Sequence, residues 1–448
     1  MTDRLADLTG ALLHAARKAG AEAADAIAVA GTSLSIDVRA GVLEQAERSE
    51  GLDIGLRVML GSRQACVSAS DISPRTMEEM AARAVAMARE APQDPHAGLA
   101  EPGQLAQGWN LAALDLDDPS PEPAPAALEE DARRAEAAAL AVAGVSQVQA
   151  SSAGYGRREI HLAATNGFSG GYARTQRSTS CVAITGEGTA MERDWHGEAR
   201  VHQADLPDAE EIGRLAGMRA VARSGARKPK TGAYPVVFDE RIASSLIGHL
   251  LGAINGTAVA RGASWLRDAM GAPVLPDGLD LIEDPLRPRI GNSRPFDAEG
   301  LQTGRRALVE KGVLQGWVLD LATARKLGLQ STANAMRGTG APPAPGTTNV
   351  ALTAGSASRE DLLREMGTGL LVTSLIGASI NPTTGDYSRG ASGFWVQGGE
   401  IVWPVNECTI AGNLREMLRS IVPANDARAH LSTRVPSLLV SGLTLAGE

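Results

Sequence analysis

Aromatic residues are scarce: Phe, Trp and Tyr together make up 3% of the 448 residues, so the cores must be built from Ala, Val, Leu and Ile. Cysteine is scarcer still. Cys66, Cys181 and Cys408 are odd in number, far apart and without a CxxC pair, which excludes a disulfide framework or zinc ribbon and points to a reducing cytoplasm. No apolar run approaches the roughly 18 residues of a membrane span. Asp3, Arg4 and Asp7 stand where a signal peptide would have its apolar core, so neither export nor membrane insertion is expected. Positive charge is not in excess either: 43 basic against 52 acidic residues give −9, which argues against direct nucleic-acid binding. What the chain has in quantity is glycine, 50 residues of it, implying frequent turns and many strands. The length implies two or three domains.

Apolar positions at Leu5, Leu8, Leu12, Ala15 and Ala19 recur at helical spacing ahead of Gly20. Leu34, Ile36 and Val38 alternate with polar residues as in a half-buried strand, and the runs 54–60 and 64–69 flank a Gly61-Ser62 turn. Ser73-Pro74 opens a helix whose buried stripe is Met77, Met80, Ala81, Ala84, Val85 and Ala88; the methionines read as core. Prolines 92, 95 and 102 mark a linker. A helix is expected over 126–143, then successive short strands over 145–184 broken at Gly154, Gly156, Gly167 and Gly170-Gly171, then a helix over 208–223. The basic run 227–230 reads as a solvated linker. Beyond it come a strand at 234–238, a helix capped by Asp239 and running to about 254, mixed turns and β segments, a helix over 413–420 and a strand at 438–441. The expected fold is mixed α/β, or α+β: an N-terminal α/β half with a strand meander and packed helices, and a strand-rich, barrel-like C-terminal half. The expected domains are 1–95, 96–228 and 229–448.

No phosphate loop, GxGxxG or GxSxG motif is present, and no two of the seven histidines share a helical face at metal-ligand spacing. The segment from Thr373 to Phe394, through Asn381-Pro-Thr-Thr-Gly-Asp-Tyr-Ser-Arg-Gly-Ala-Ser-Gly393, followed by Gly399-Glu-Ile401 and Pro404 to Leu414, resembles the C-terminal signature of the TldD/PmbA (modulator of DNA gyrase) family. Arg39 to Glu44, Gly55 to Val58 and Tyr234 to Asp239 support the resemblance along nearly the whole chain. It implies a partnership of two branches in a cytoplasmic, peptide-cleaving zinc metalloprotease. In the TldD branch an HExxxH helix, together with a distant cysteine, holds zinc, and its glutamate activates water. Here the equivalent stretch is Ser244-Ser245-Leu-Ile-Gly-His249, in which only His249 agrees. This departure identifies the TldE/PmbA branch.

Positions five apart on a straight helix lie roughly 140° apart around its axis, so even an intact motif needs a distortion of the kind Gly248 permits. Serine hydroxyls are poor zinc ligands at neutral pH, and Ser245 cannot take a proton from metal-bound water as a carboxylate would. The expectation is no catalytic residue, metal or cofactor in this chain, with zinc on a TldD-like catalytic partner. His249 and Cys408 remain as a possible vestigial site, each with a packing role as the alternative. The glycine-rich segment 385–393 reads either as turn chemistry or as an exposed sheet edge that pairs with an extended peptide.

The leading functional expectation is a non-catalytic subunit of a heteromeric zinc metalloprotease acting on unfolded peptides, with a homodimer possible when the partner is absent. A second reading is a regulatory protein that modulates DNA gyrase or another target without proteolysis. A third is a hydrolase using Cys408 with His249 as base, for which no orienting third group is evident.

Overall fold

The computed structural model describes residues 2–448. Its first half is one six-stranded antiparallel sheet made of β1 (Ala23–Arg39), β2 (Val42–Leu60), β3 (Arg63–Ala69), β4 (Val145–Ala164), β5 (Ser169–Thr185) and β6 (Glu192–Arg200), in the order β3-β2-β1-β4-β5-β6. Because β1 pairs with β4 from Asp25↔Ala164 to Val38↔Ser151, the segments on either side of the expected linker near residues 95–110 share a single sheet. The expected series of short strands over 145–184 is two long ones. Gly154 and Gly156 lie inside β4 and break nothing. A side chain at Gly154 would come within 3.1 Å of Ser178 Oγ, so glycine here serves close cross-strand approach rather than a turn.

The two-residue period of β1 sorts the layers. Its even positions, from Ala24 to Val38, face helices. Ala24, Ala26 and Ala28 pack with α1 (Thr2–Lys18) and α2 (Pro74–Glu90), while Leu34, Ile36 and Val38 meet Leu128 and Ala132 of α3 (Pro125–Leu140). α2 begins as its sequence dictates, with Ser73 accepting from the Thr76 amide and Pro74 in the first turn. α4 (Ala209–Ala222) lies against α3 so closely that a Cβ on Gly213 would fall 1.8 Å from the Ala135 carbonyl oxygen. The odd positions of β1 face the C-terminal half: Ile27 packs with Tyr172 and Phe296, and Asp25 pairs with Arg337.

That half contains β7 (Gly232–Phe238), β8 (Gly369–Ile380), β9 (Asp386–Gln397), β10 (Glu400–Asn413) and β11 (Leu438–Ala446). They are ordered β10-β9-β8-β7-β11, and an extra pairing of β10 with β11 closes them into a five-stranded barrel, the strand-rich half expected from sequence. Alternation again assigns faces. Val236, Phe238, Leu370, Val372, Leu438 and Val440 pack with α5 (Glu240–Ala253), whereas Val237, Leu371 and Leu439 pack with α6 (Arg359–Met366). Among the described residues no helix is long and apolar enough to cross a membrane.

Candidate functional site

α5 starts where the sequence says it should, the Asp239 carboxylate accepting from the Arg241 amide at 3.2 Å. Ala243, Leu246, Ile247, Leu250 and Ala253 bury one stripe of the helix in the barrel core. Its other face, carrying Ser244, Ser245 and Gly248, lines a cavity of about 420 Å³ together with Thr373 and Arg389. The helix runs unbroken through Gly248, where a Cβ would meet nothing within 4 Å, so no close approach demands glycine.

The site is polar and short of hydrogen-bond partners within the protein. Ser245 Oγ, His249 Nε2, Thr373 Oγ1 and the Tyr387 hydroxyl are all buried without one. The His249 ring stands edge-on to Tyr387, with centroids 5.8 Å apart and planes at 76°. Burial, then the Arg389 charge, push the His249 imidazole below its ordinary range, and burial pushes the Tyr387 phenol up to about 12. Both side chains are therefore neutral near pH 7.

Cys408 sits in β10 opposite Ala391 of β9; its thiol donates to the Ala391 carbonyl at 3.2 Å, and burial raises it to about 11. The thiol has a backbone partner, whereas His249 Nε2 has none, so the two are not hydrogen-bonded to one another. A neutral thiol without a bonded base lacks the activation that a cysteine nucleophile needs. Among the described residues no three His, Cys, Asp or Glu side chains come together as a group that could hold a metal. Two hydroxyls, one buried imidazole nitrogen and a neutral thiol do not fit zinc.

The segment 385–393 does not offer the free edge that one sequence reading allowed. β9 is paired on both sides, with β8 and with β10. Its glycines serve packing: a Cβ on Gly393 would lie 1.9 Å from the Leu371 carbonyl oxygen, at a register shift between β8 and β9.

Sequence reasoning missed a second region. Between the odd-numbered face of the N-terminal sheet and the C-terminal half runs a cleft of about 600 Å³, lined by small residues such as Gly31, Gly51 and Gly156 and by Arg157, Arg158, Arg174, Arg200 and Arg289. Three of these arginines are matched by acids: Arg157 by Asp117 at 2.8 Å, Arg200 by Glu198 at 2.7 Å and Arg289 by Asp115 at 2.6 Å. Further along the seam, Asp194 of β6 faces Arg241 of α5 at 3.3 Å, which ties the N-terminal sheet to the serine-bearing helix. The signal was present as arginines spaced along β4 and β5. Their convergence depends on strand register.

A helix-covered antiparallel sheet joined to a five-stranded barrel, with the candidate site on the helix after the first barrel strand, is the architecture of a metallopeptidase family. The chain belongs to the PmbA/TldD family: residues 24–88, 115–224 and 231–447 match domain 1, the central domain and the C-terminal domain of the PmbA/TldA metallopeptidases. It is 36% identical to the metalloprotease PmbA of Escherichia coli O157:H7 over 93% of this chain and 90% of that protein. Among solved structures it resembles a Bacteroides thetaiotaomicron protein presented as a proposed modulator of DNA gyrase, with a TM-score of 0.91 and 26% identity over 99% of this chain and 98% of that one. It shares the fold of TldE from Thermococcus kodakarensis, with a TM-score of 0.85 and 21% identity over 98% of this chain and 100% of that one.

Proposed function

We propose that this chain is the non-catalytic subunit of a heteromeric peptidase, building part of a peptide-binding chamber for a TldD-like partner that carries zinc. One observation carries the reading. The helix face that a metallopeptidase of this family would use presents Ser244 and Ser245 to the cavity, and neither can hold the metal or serve as base. The polar groups left there, Thr373 and Ser245 among them, suit hydrogen bonds to an extended peptide backbone, which asks little of its sequence.

The test is metal analysis and peptidase assay of the purified chain, alone and reconstituted with a TldD-like partner. The expected result is substoichiometric zinc and no cleavage of an unfolded peptide by the chain alone, with both zinc and cleavage in the reconstituted complex. Stoichiometric zinc and turnover in the isolated chain would overturn the proposal.

A further inference from the structure

Below the cleft, and sharing Arg158, Arg174 and Asn292 with it, lies a smaller cavity of about 200 Å³ lined also by Arg294, Arg337, Tyr172 and Phe296. Its charge is mainly positive, four arginines against the single carboxylate of Asp297. Arg158 is exposed and stands directly opposite Arg174 across β4 and β5, two like charges at a register position where opposite charges would be favoured. Arg174 donates to the Gly291 carbonyl, the Tyr172 hydroxyl at 3.0 Å and the Ser293 carbonyl at 3.4 Å, never to a carboxylate, and its buried Nε has no partner.

Arg294 is only 7% exposed. One of its terminal nitrogens donates to the Ala335 carbonyl at 2.9 Å, while Nε and Nη2 have no partner. The side chain of Arg337 is fully buried; Asp25 takes one of its nitrogens, and Nη2 is left over. The acid on the cavity wall, Asp297, is already engaged, its two oxygens accepting from the amides of Glu299, Leu301 and Ala335 at 2.9, 2.9 and 3.1 Å. A buried guanidinium with unsatisfied N–H groups is costly, and the planar fork matches a carboxylate.

We propose that this cavity binds a carboxylate carried by an extended peptide whose backbone lies in the adjoining cleft. The proposal rests on the peptide-chamber reading above and adds the chemical group that orients the ligand. Gly31, Gly51 and Gly156 line the cleft without side chains to obstruct a main chain, and Tyr172 and Phe296 line the smaller cavity beside the arginines. The carboxylate can come from a peptide C-terminus or from an acidic side chain.

The experiment is fluorescence anisotropy with the full-length chain and an N-terminally labelled hexapeptide free of acidic side chains, made as the free acid, as the C-terminal amide, and as the amide with one internal Glu. The free acid is expected to bind roughly tenfold or more tightly than the plain amide, and raised salt should shrink the difference. A Glu-bearing amide that binds like the free acid supports the side-chain source; one that binds like the plain amide supports the C-terminal source. Arg158→Ala, at an exposed position where folding is not at risk, should remove most of the preference, and Arg294→Gln should do the same. Equal affinity for the three forms would overturn the carboxylate assignment while leaving peptide binding intact. No binding by any form would overturn both.

Discussion

Two regions of this molecule gather buried polar atoms without protein partners, and they differ in charge. Around α5 the atoms are neutral: Ser245 Oγ, His249 Nε2, Thr373 Oγ1 and the Tyr387 hydroxyl. In the seam between the N-terminal sheet and the C-terminal half they belong to the guanidiniums of Arg174, Arg294 and Arg337. Neutral hydroxyls can hydrogen-bond a peptide but are poor ligands for a divalent ion, and one imidazole beside them falls short of the three or four ligands a zinc site needs. Guanidiniums can hold an anion in a fixed orientation. On the proposed reading, the shape of the family's catalytic region is kept without its charge, while charge is concentrated where the two halves meet.

If the seam depends on matched charge, the sharpest way to break it is at Asp25. Its carboxylate accepts from Arg57 Nε at 2.8 Å and also pairs with Arg337, and all three side chains are almost wholly buried. Burial pushes the Asp25 carboxyl up, and the Arg337 and Arg57 charges outweigh it, holding the group below the usual range. Asp25→Ala leaves two buried guanidiniums facing one another. The expected cost is about 3–5 kcal/mol, read as a fall in the urea midpoint. A loss under about 1 kcal/mol would show that the seam tolerates unmatched charge, and the contrast between the regions would lose its meaning.

Acid should weaken the seam. His196 of β6 accepts from Arg219 at 2.8 Å; burial, then Arg219, lower its pKa to about 4, against the opposing pull of Glu198. A folded-state pKa below the unfolded value of about 6.5 means that the unfolded chain binds more protons in between. The stability this neutral ring contributes is therefore present above about pH 6.5 and is lost as pH falls toward 4. Allowing for partial solvent screening, the loss is roughly 1–3 kcal/mol. His430, whose pKa burial also lowers, acts in the same sense. His196→Phe should flatten part of the decline in denaturant midpoint between pH 6.5 and 4; a variant with the wild-type slope would remove His196 from the account.

The contrast was only half legible in the sequence. Local pattern was enough for α5: the Asp239 cap, the apolar stripe and the Ser244-Ser245-His249 departure are read along one helix, and the resemblance to the family said where to look. The barrel strands were recognisable as β segments, although the return of β10 onto β11 is a non-local pairing that no single segment announces. The seam was not legible. Residues 42–51 of β2 are exposed throughout, so they show no alternation, and the long hairpin was invisible as strand. Glycines at 154 and 156 read as turn signals because their cross-strand neighbours could not be known. Arg158 and Arg174 are ordinary surface arginines until the β4–β5 register sets them opposite one another.

The smallest expected effect tests the neutral side of the comparison. If the Tyr387 hydroxyl and Thr373 Oγ1 have no protein partner, the folded chain gains little by keeping them, because a buried hydroxyl that bonds nothing bears its desolvation cost uncompensated. Tyr387→Phe keeps the ring against His249, and Thr373→Val keeps the branched shape. Each should change the unfolding free energy by less than about 1 kcal/mol, in the stabilising direction if at all. Peptide affinity should fall in Thr373→Val, since Thr373 lines the cavity beside α5 and its proposed use is to bond a bound main chain. Stability lost by more than about 2 kcal/mol in either variant would mean that the hydroxyls are bonded within the fold, and the groups around α5 would then be structural rather than held in reserve for a ligand.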